Sequence, residues 1–466
     1  MSRLPDGFAV RLRDDLLVAD GGAVLVGGSP TRVARLSGTA RQYVGDGVVV
    51  VRDDPSAALA RRLLDGDLAD PLLYAVHEVG ALTVVVPVRD RVEQLDRCLA
   101  SLDGLAVVVV DDASADPSGV AAVAARHGAT LLALNENLGP AGARNAGLEM
   151  VTTELVAFVD SDVTVDADRL GRLARHFEDP QVSLAGPRVV GTSRSARPRW
   201  FERYDAVASS LDLGSVGGSV RPGAAIGWLP SACLVGRVAD LGRGFEGAWR
   251  VAEDVDLVWR LVERGRVVRY DPSVEVQHDI RRTVRAWLGR KFAYGTGGAD
   301  LAARHGDKVA PAALSVPMAV AAACLLHRRA WSVGVALGVV AATSRSLRPR
   351  LAIEDGTTQI ATRLAVRGLG WAVRQESGLL LRHWWPAAAV GAVLSRTVRR
   401  CLLTAVAVDL AVFLQERPGA GVLTAAVARR LDDAAYGSGL WWGAIARRDP
   451  RCLAVRRVRP VRRARR

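Results

Sequence analysis

The sequence predicts an α/β protein: a central parallel sheet covered on both faces, a small α+β unit before it, and a helical, membrane-associated region after it. Three observations carry this prediction. Residues 81–159 alternate continuous apolar runs with amphipathic ones, which is the pattern of strands linked by crossover helices. Residues 1–78 hold short apolar runs punctuated by glycine pairs. Beyond Lys308 lie long charge-free stretches flanked by arginine.

Composition narrows the classes first. A chain of 466 residues, half of them hydrophobic, is long enough for two to four domains with real cores and too apolar for long-range disorder. Cys98, Cys233, Cys324, Cys401 and Cys452 form no C-x-x-C pair, so they read as reduced thiols rather than a disulfide scaffold. The formal charge is +13, and Lys291 and Lys308 are the only lysines, so the positive charge is almost all arginine. The first twenty residues carry Arg3, Asp6, Arg11, Arg13, Asp14 and Asp15 and no apolar core. They do not read as a secretory signal, and the catalytic part is expected on the cytoplasmic side.

In residues 1–78, strands are expected at 8–12, 23–26, 33–36 and 48–51, and a helix over 55–64. No acid pair, metal set or phosphate loop occurs here, so the unit reads as a packing domain or as a module that holds a peptide or acceptor. Residues 79–305 read as a second, larger domain of alternating strands and helices, the one expected to carry any chemistry. Strands are expected at 81–87, 106–110, 129–134 and 155–159, with helices over 91–102, 120–127 and 139–150. Residues 306–446 are apolar and helical. Residues 309–326 lack a charge for 18 positions and just reach spanning length, since crossing a bilayer takes ~20 apolar residues. The stretches 330–343, 384–395 and 401–414 are shorter and read as buried or interfacial helices, with Trp384-Trp385 and Trp441-Trp442 suited to a membrane interface or to packing. Arg345, Arg348, Arg350, Arg396, Arg399 and Arg400 flank them, as contact with anionic lipid requires. The basic tail, 447–466, lacks interleaved aromatics, so lipid rather than nucleic acid is its expected partner.

Chemistry gathers where strands of such a sheet end. Asp111-Asp112 follow one expected strand and Asp160-Ser161-Asp162 another, while Pro87 and Arg89 sit where the first strand breaks. Glu253-Asp254 and His278 lie further along. Each is unremarkable alone, because a carboxylate after a strand is often a helix cap. Converging on one rim, like charges repel unless a cation lies between them. Oxygen ligands select Mg²⁺ or Mn²⁺, and an imidazole from His278 favours Mn²⁺. The remaining histidines (His77, His127, His176, His305, His327, His383) read as surface or packing residues. Gly139 to Gly142 lacks the Lys and Ser/Thr of a nucleotide-triphosphate loop.

The motifs V-V-V-P (84–87), V-V-D-D (109–112), G-P-A-G-A-R-N (139–145), F-V-D-S-D (158–162), G-F-E (244–246) and E-D-V-D-L-V-W-R (253–260) occur in that order. Together they resemble the inverting nucleotide-sugar glycosyltransferases of family 2, which have the GT-A fold. The flanks, including R-H-W-W-P at 382–386 and R-L-D-D at 430–433, are similar to the branch of that family found in the mycofactocin system. The resemblance implies that Pro87, Arg89, Asp112, Arg144, Asp160 and Ser161 bind the donor. Asp160, Asp162 and His278 then hold the metal, and Asp254 is the catalytic base. It implies a nucleotide-sugar donor, UDP-glucose, and a peptide-derived small-molecule acceptor extended with β-1,4-linked glucose. Arg89 and Asp90 replace the tyrosine and asparagine common after the first proline in that family. Two other readings stand beside this one: a family 2 transferase acting on a lipid-linked cell-wall precursor, and a membrane-bound scaffold with an inactive transferase domain.

Overall fold

The computed structural model of the chain describes residues 2–73, 82–417, 419 and 421–458. It divides into two compact units, residues 1–198 with 208–280, and residues 199–207 with 281–466.

The first unit opens with a small module of six strands and two helices. The strands are β1 (Ala9–Leu12), β2 (Leu17–Ala19), β3 (Val24–Gly27), β4 (Arg32–Arg35), β5 (Val48–Val50) and β6 (Ala69–Leu72); the helices are α1 (Gly38–Gln42) and α2 (Asp54–Asp65). Two three-stranded antiparallel sheets result, ordered β5-β1-β6 and β2-β3-β4. Helix α2 starts at a capping box, in which Asp53 accepts from the Ser56 amide and the Ser56 hydroxyl oxygen accepts from the Asp53 amide. It buries Leu59, Ala60, Leu63 and Leu64 among Val10, Leu25 and Val49. The sequence reading misses β2 and β6. Strand β6 carries Pro71, which an edge strand tolerates and a central one does not.

The chain then builds a nine-stranded sheet. Its elements are β7 (Leu82–Val88), α3 (Val92–Ser101), β8 (Ala106–Asp111), α4 (Pro117–Arg126), β9 (Thr130–Ala133), α5 (Gly139–Glu149), β10 (Leu155–Val159), β11 (Val163–Thr164), α6 (Ala167–Ala174) and β12 (Val182–Thr192). Helix α7 (Trp200–Val207) belongs to the second unit. The first unit resumes with β13 (Gly218–Ser219), β14 (Cys233–Arg237), α8 (Val238–Leu241), α9 (Glu253–Glu263) and β15 (Val267–Asp279). The order is β11-β15-β12-β14-β10-β7-β8-β9, with β13 against β15.

The strands and helices read between residues 82 and 159 are present within a few residues; Ala81 lies outside the described residues. The all-parallel sheet does not hold. Strands β10, β7, β8 and β9 are parallel, as their crossover helices demand, but β14 runs antiparallel to both β10 and β12. The cause is the segment 208–232, which returns to the carboxyl rim, so that Cys233 at the start of β14 pairs with Val159 at the end of β10. Helix α5 lies tight on the sheet because residue 147 is glycine; a Cβ there would stand 2.4 Å from Val85 Cγ1.

The second unit is helical: α7, α10 (Val284–Thr296), α11 (Gly298–His305), α12 (Val316–His327), α13 (Ala330–Leu351), α14 (Thr357–Gly378), α15 (Trp385–Leu394), α16 (Arg396–Glu416) and α17 (Val422–Arg447). Strands β16 (Ala313–Leu314) and β17 (Arg456–Arg457) pair in parallel. Trp287 on α10 packs on Phe201 and Tyr204 of α7. Lys291 is buried between Asp432 (2.8 Å) and Asp205 (3.4 Å). Helices α10 and α17 cross at backbone distance: a Cβ on Gly439 would stand 1.9 Å from the Phe292 carbonyl oxygen.

The stretch 309–326 is not a spanning helix. Residues 313–314 are a strand, and α12 starts only at Val316, leaving 12 helical residues, roughly 18 Å of rise against a hydrocarbon core of about 30 Å. Among the described residues, the helix of sufficient length and apolarity is α13, 22 residues from Ala330 to Leu351. The tryptophan pairs also divide. The Trp384 and Trp441 indoles donate to the carbonyls of Leu453 and His383 inside the unit, whereas Trp442 is exposed. Of the basic tail, 459–466 lie outside the described residues, as does His77.

Candidate active site

The antiparallel entry of β14 assembles the site. Where β10 ends, the Asp160 amide donates to the Ala232 carbonyl at 2.9 Å. One residue earlier, the Ser231 amide donates to Asp254 Oδ2 at 3.1 Å. Asp160 and Asp254, ninety-four positions apart in the chain, are therefore fastened to adjacent residues. On the other side, β11 pairs with the end of β15, aligning Val163 with His278. His278 Nε2 then lies 3.5 Å from Asp162 Oδ1.

Asp254 occupies the first turn of α9, preceded by Ala252 at φ +66°. A left-handed alanine is strained, and strain of this kind persists where the surroundings impose it, often at functional sites. The Asp254 carboxylate accepts from the Val255 amide at 2.8 Å as well as from Ser231. Burial, and then the charge of Glu253 beside it, push its pKa up to about 7 against the pull of those two amides and Arg144.

Arg144 ties the two halves together. Its guanidinium reaches Asp160 Oδ1 at 2.5 Å and Glu253 Oε1 at 3.2 Å, and it stacks 5.3 Å from the centre of the Phe245 ring. Asn145 fixes that phenylalanine by exchanging hydrogen bonds with its backbone, at 2.9 and 2.8 Å. Arg144 is thus a buried cation shared by two carboxylates. The sequence placed Glu253 beside Asp254 among the rim acids and gave it no partner. Its pairing with Arg144 bridges 109 positions, and no local pattern announces it.

The other expected residues fall around the same rim. Asp112 follows β8 and is buried; its two oxygens accept from the amides of Leu138 (2.6 Å) and Gly139 (2.9 Å), which fixes the start of α5. Asp90, at φ +57°, accepts from the Ala115 amide and so joins the loops after β7 and β8. Pro87 is the penultimate residue of β7, opposite Val110. Arg89 beyond it is half exposed, 3.6 Å from Asp90. Ser161 is buried between Asp160 and Asp162. Arg91, at the end of the charged loop after the first strand, forms an ion pair with Asp162 Oδ2.

Among the described residues, no three His, Cys, Asp or Glu side chains converge as a complete metal cage. Asp162 and His278 make a two-ligand face, with Asp160 two residues from Asp162. Oxygen and imidazole donors of this kind would suit a hard divalent cation.

Residues 83–216 match glycosyl transferase family 2, and residues 155–414 match glycosyl transferase family group 2. Over 96% of its length the chain is 41% identical to the pre-mycofactocin glycosyltransferase of Mycobacterium tuberculosis, covering 97% of that protein. It is also 41% identical to the succinoglycan biosynthesis protein ExoO of Rhizobium meliloti, over 24% of this chain and 34% of that one. Among solved structures, it is similar to the mannosyltransferase PcManGT of Pyrobaculum calidifontis in complex with GDP-Man and Mn²⁺. That likeness has 20% identity and a TM-score of 0.44, over 80% of this chain and 91% of the other.

Proposed function

Because the chain belongs to the pre-mycofactocin glycosyltransferases of family 2, and is therefore a glycosyltransferase, we propose that it transfers glucose from UDP-glucose, with inversion, onto premycofactocin, a peptide-derived cofactor precursor, and extends it as a β-1,4-linked oligoglucose. One observation carries the catalytic part: Asp254, half-buried and held by two amides, joins Asp160 through Ser231-Ala232 and through Glu253-Arg144.

An acceptor hydroxyl attacks the anomeric carbon from the face opposite the leaving group. The new C–O bond forms as the bond to the nucleoside diphosphate breaks, and Asp254 takes the hydroxyl proton. A pKa near 7 suits that task, since a general base works best when its pKa lies near the working pH. Asp162 and His278, with Asp160, would hold Mn²⁺ or Mg²⁺, which when bound neutralises charge on the diphosphate. Pro87, Arg89, Asp112 and Ser161 line the donor side. Arg144 holds Asp160 in place and balances Glu253, so that the base beside them stays the proton acceptor.

The proposed location is the cell membrane, with the catalytic unit on the cytoplasmic side and the helical unit against lipid. Supporting it are Trp331, Val333 and Leu337 on α13, Val393 and Leu394 on α15, and Leu423 and Ile445 on α17, all exposed. The same apolar surface favours a second reading, a lipid-linked acceptor.

Purified protein with UDP-glucose, premycofactocin and Mn²⁺ should release UDP, and EDTA should stop it. Asp254→Asn should lower transfer by about 10²- to 10⁴-fold, the usual worth of general-base assistance, with an unchanged melting temperature. Near-normal transfer by that variant would refute the assignment of the base. UDP release only with polyprenyl-linked acceptors would favour the second reading.

A further inference from the structure

The amino-terminal module makes its own connection to the segment that ends at the catalytic base. In the turn after α2, Asp67 is buried at φ +51°. Its Oδ1 accepts from the Ser219 amide at 2.9 Å and its Oδ2 from Arg221 Nη2 at 2.7 Å. Arg221 also donates to the carbonyls of Asp65 (3.2 Å) and Ser29 (2.5 Å). The Ser29 hydroxyl accepts from the Ala225 amide at 2.5 Å, and Arg13 donates to the Gly217 carbonyl at 2.9 Å. Every position from 217 to 225 is thus within four residues of a tie to the module.

The held segment leads straight to the site. It closes on itself where the Arg221 amide donates to the Ile226 carbonyl at 3.1 Å. The next carbonyl, Gly227, accepts from the Trp259 indole at 2.7 Å, on the helix that carries Asp254. Four residues later, Ser231 donates to Asp254 itself. Six positions separate the last tie to the module, Ala225, from the hydrogen bond that orients the base. Pro230 lies within that span and stiffens it, because its φ is fixed.

We infer that Asp67 and Arg221 are positioning residues: through this clasp the amino-terminal module sets Gly227 to Ser231, and so the orientation of Asp254 toward the acceptor hydroxyl. The inference rests on the assignment of Asp254 as base. A charge-assisted pair between a half-buried guanidinium and a buried carboxylate bonded on both oxygens is directional, which a packed apolar contact is not. The six-residue lever converts that direction into placement of one backbone amide. Small displacements at a reacting group are costly in rate even when binding is unchanged.

The test uses the full chain with UDP-glucose and premycofactocin. Asp67→Asn, which keeps shape and removes charge, should lower kcat about tenfold while the KM for UDP-glucose stays as in the unmodified protein, read at a temperature where circular dichroism shows both proteins folded. Arg221→Gln should do the same, and the double variant should be no slower than either single one, because the pair acts as a unit. Hydrogen exchange supplies a readout free of turnover: in Asp67→Asn the Ser231 amide should exchange faster, with β10 and α5 unaltered. Unchanged kcat and unchanged Ser231 exchange would overturn the inference, as would losses that multiply in the double variant. If the unmodified protein releases no UDP, the proposed activity fails instead, and exchange at Ser231 still decides whether the clasp holds the segment.

Discussion

The two units solve the burial problem in opposite ways. Among the described residues, the first unit, though the larger, leaves six large hydrophobic side chains exposed, and the second leaves nineteen. The first closes its apolar core inside a sheet covered by helices and places its buried charges under the site: Arg144 between Asp160 and Glu253, and Asp162 against Arg91 and His278. In the second, a few ion pairs lie inside, Lys291 between Asp205 and Asp432 and Asp409 held by Arg429 and Arg430, while leucine, valine and tryptophan face outward beside exposed arginines such as Arg345 and Arg348. A surface built that way is stable against lipid and costly against water. The difference teaches where each unit is vulnerable. One depends on a balanced set of charges, the other on helices that approach at backbone distance.

The largest effect expected breaks the first side of the comparison. Arg144→Leu leaves Glu253 buried and Asp160 half-buried without their shared cation, a loss of about 3 kcal/mol. It should show as early urea unfolding, with proteolytic cleavage concentrated between residues 82 and 198. Cleavage confined to 284–447 would mean that the charge web does not carry the stability of the first unit. Next, Gly439→Ala drives a methyl group into the Phe292 carbonyl, and the overpacking costs about 1–3 kcal/mol. The α10–α17 crossing should then exchange amide hydrogens faster, while transfer by the first unit is spared.

A pH profile sharpens the chemistry. Asp254 must be ionised to accept a proton, so kcat/KM should rise about tenfold per pH unit up to about 7 and then level off. Asp254→Asn should abolish this rise. Stability runs the other way. Because the folded pKa of Asp254 lies above its ordinary 3.8, the folded chain keeps a proton that the unfolded chain has released. The contribution of this residue is complete below pH 3.8 and is lost as pH climbs through about 7. The smallest effect concerns lipid. Between residues 316 and 447 there are sixteen arginines and seven carboxylates. Each exposed arginine near an anionic bilayer is worth about 1 kcal/mol. Arg345→Gln with Arg348→Gln should weaken sedimentation with phosphatidylserine vesicles and leave neutral vesicles unaffected; equal loss on both would point to apolar contact alone.

The strands from Leu82 to Val159 were legible because a buried parallel strand is a continuous run of Val, Leu and Ile, a signal that does not depend on its neighbours. The motif residues after those strands were legible for the same reason: the end of the run marks the rim. Strand β14 gave no sign of its direction, since V, L and G read alike from either end. The apolar stretch 309–326 was misjudged because hydropathy counts residues and does not see Pro311 and Pro317, near which strand gives way to helix.

By itself, then, the sequence determined the kinds of element, the acids at their ends and the family to which they belong, because burial and helical or strand period are local properties of the chain. Only the tertiary structure decided that β14 arrives antiparallel, that Ser231 meets Asp254, that Arg144 is shared by Asp160 and Glu253, and that Asp67 grips Arg221. Those pairings join residues 16 to 154 positions apart, and electrostatic attraction between them is set by distance in space, which sequence separation does not encode.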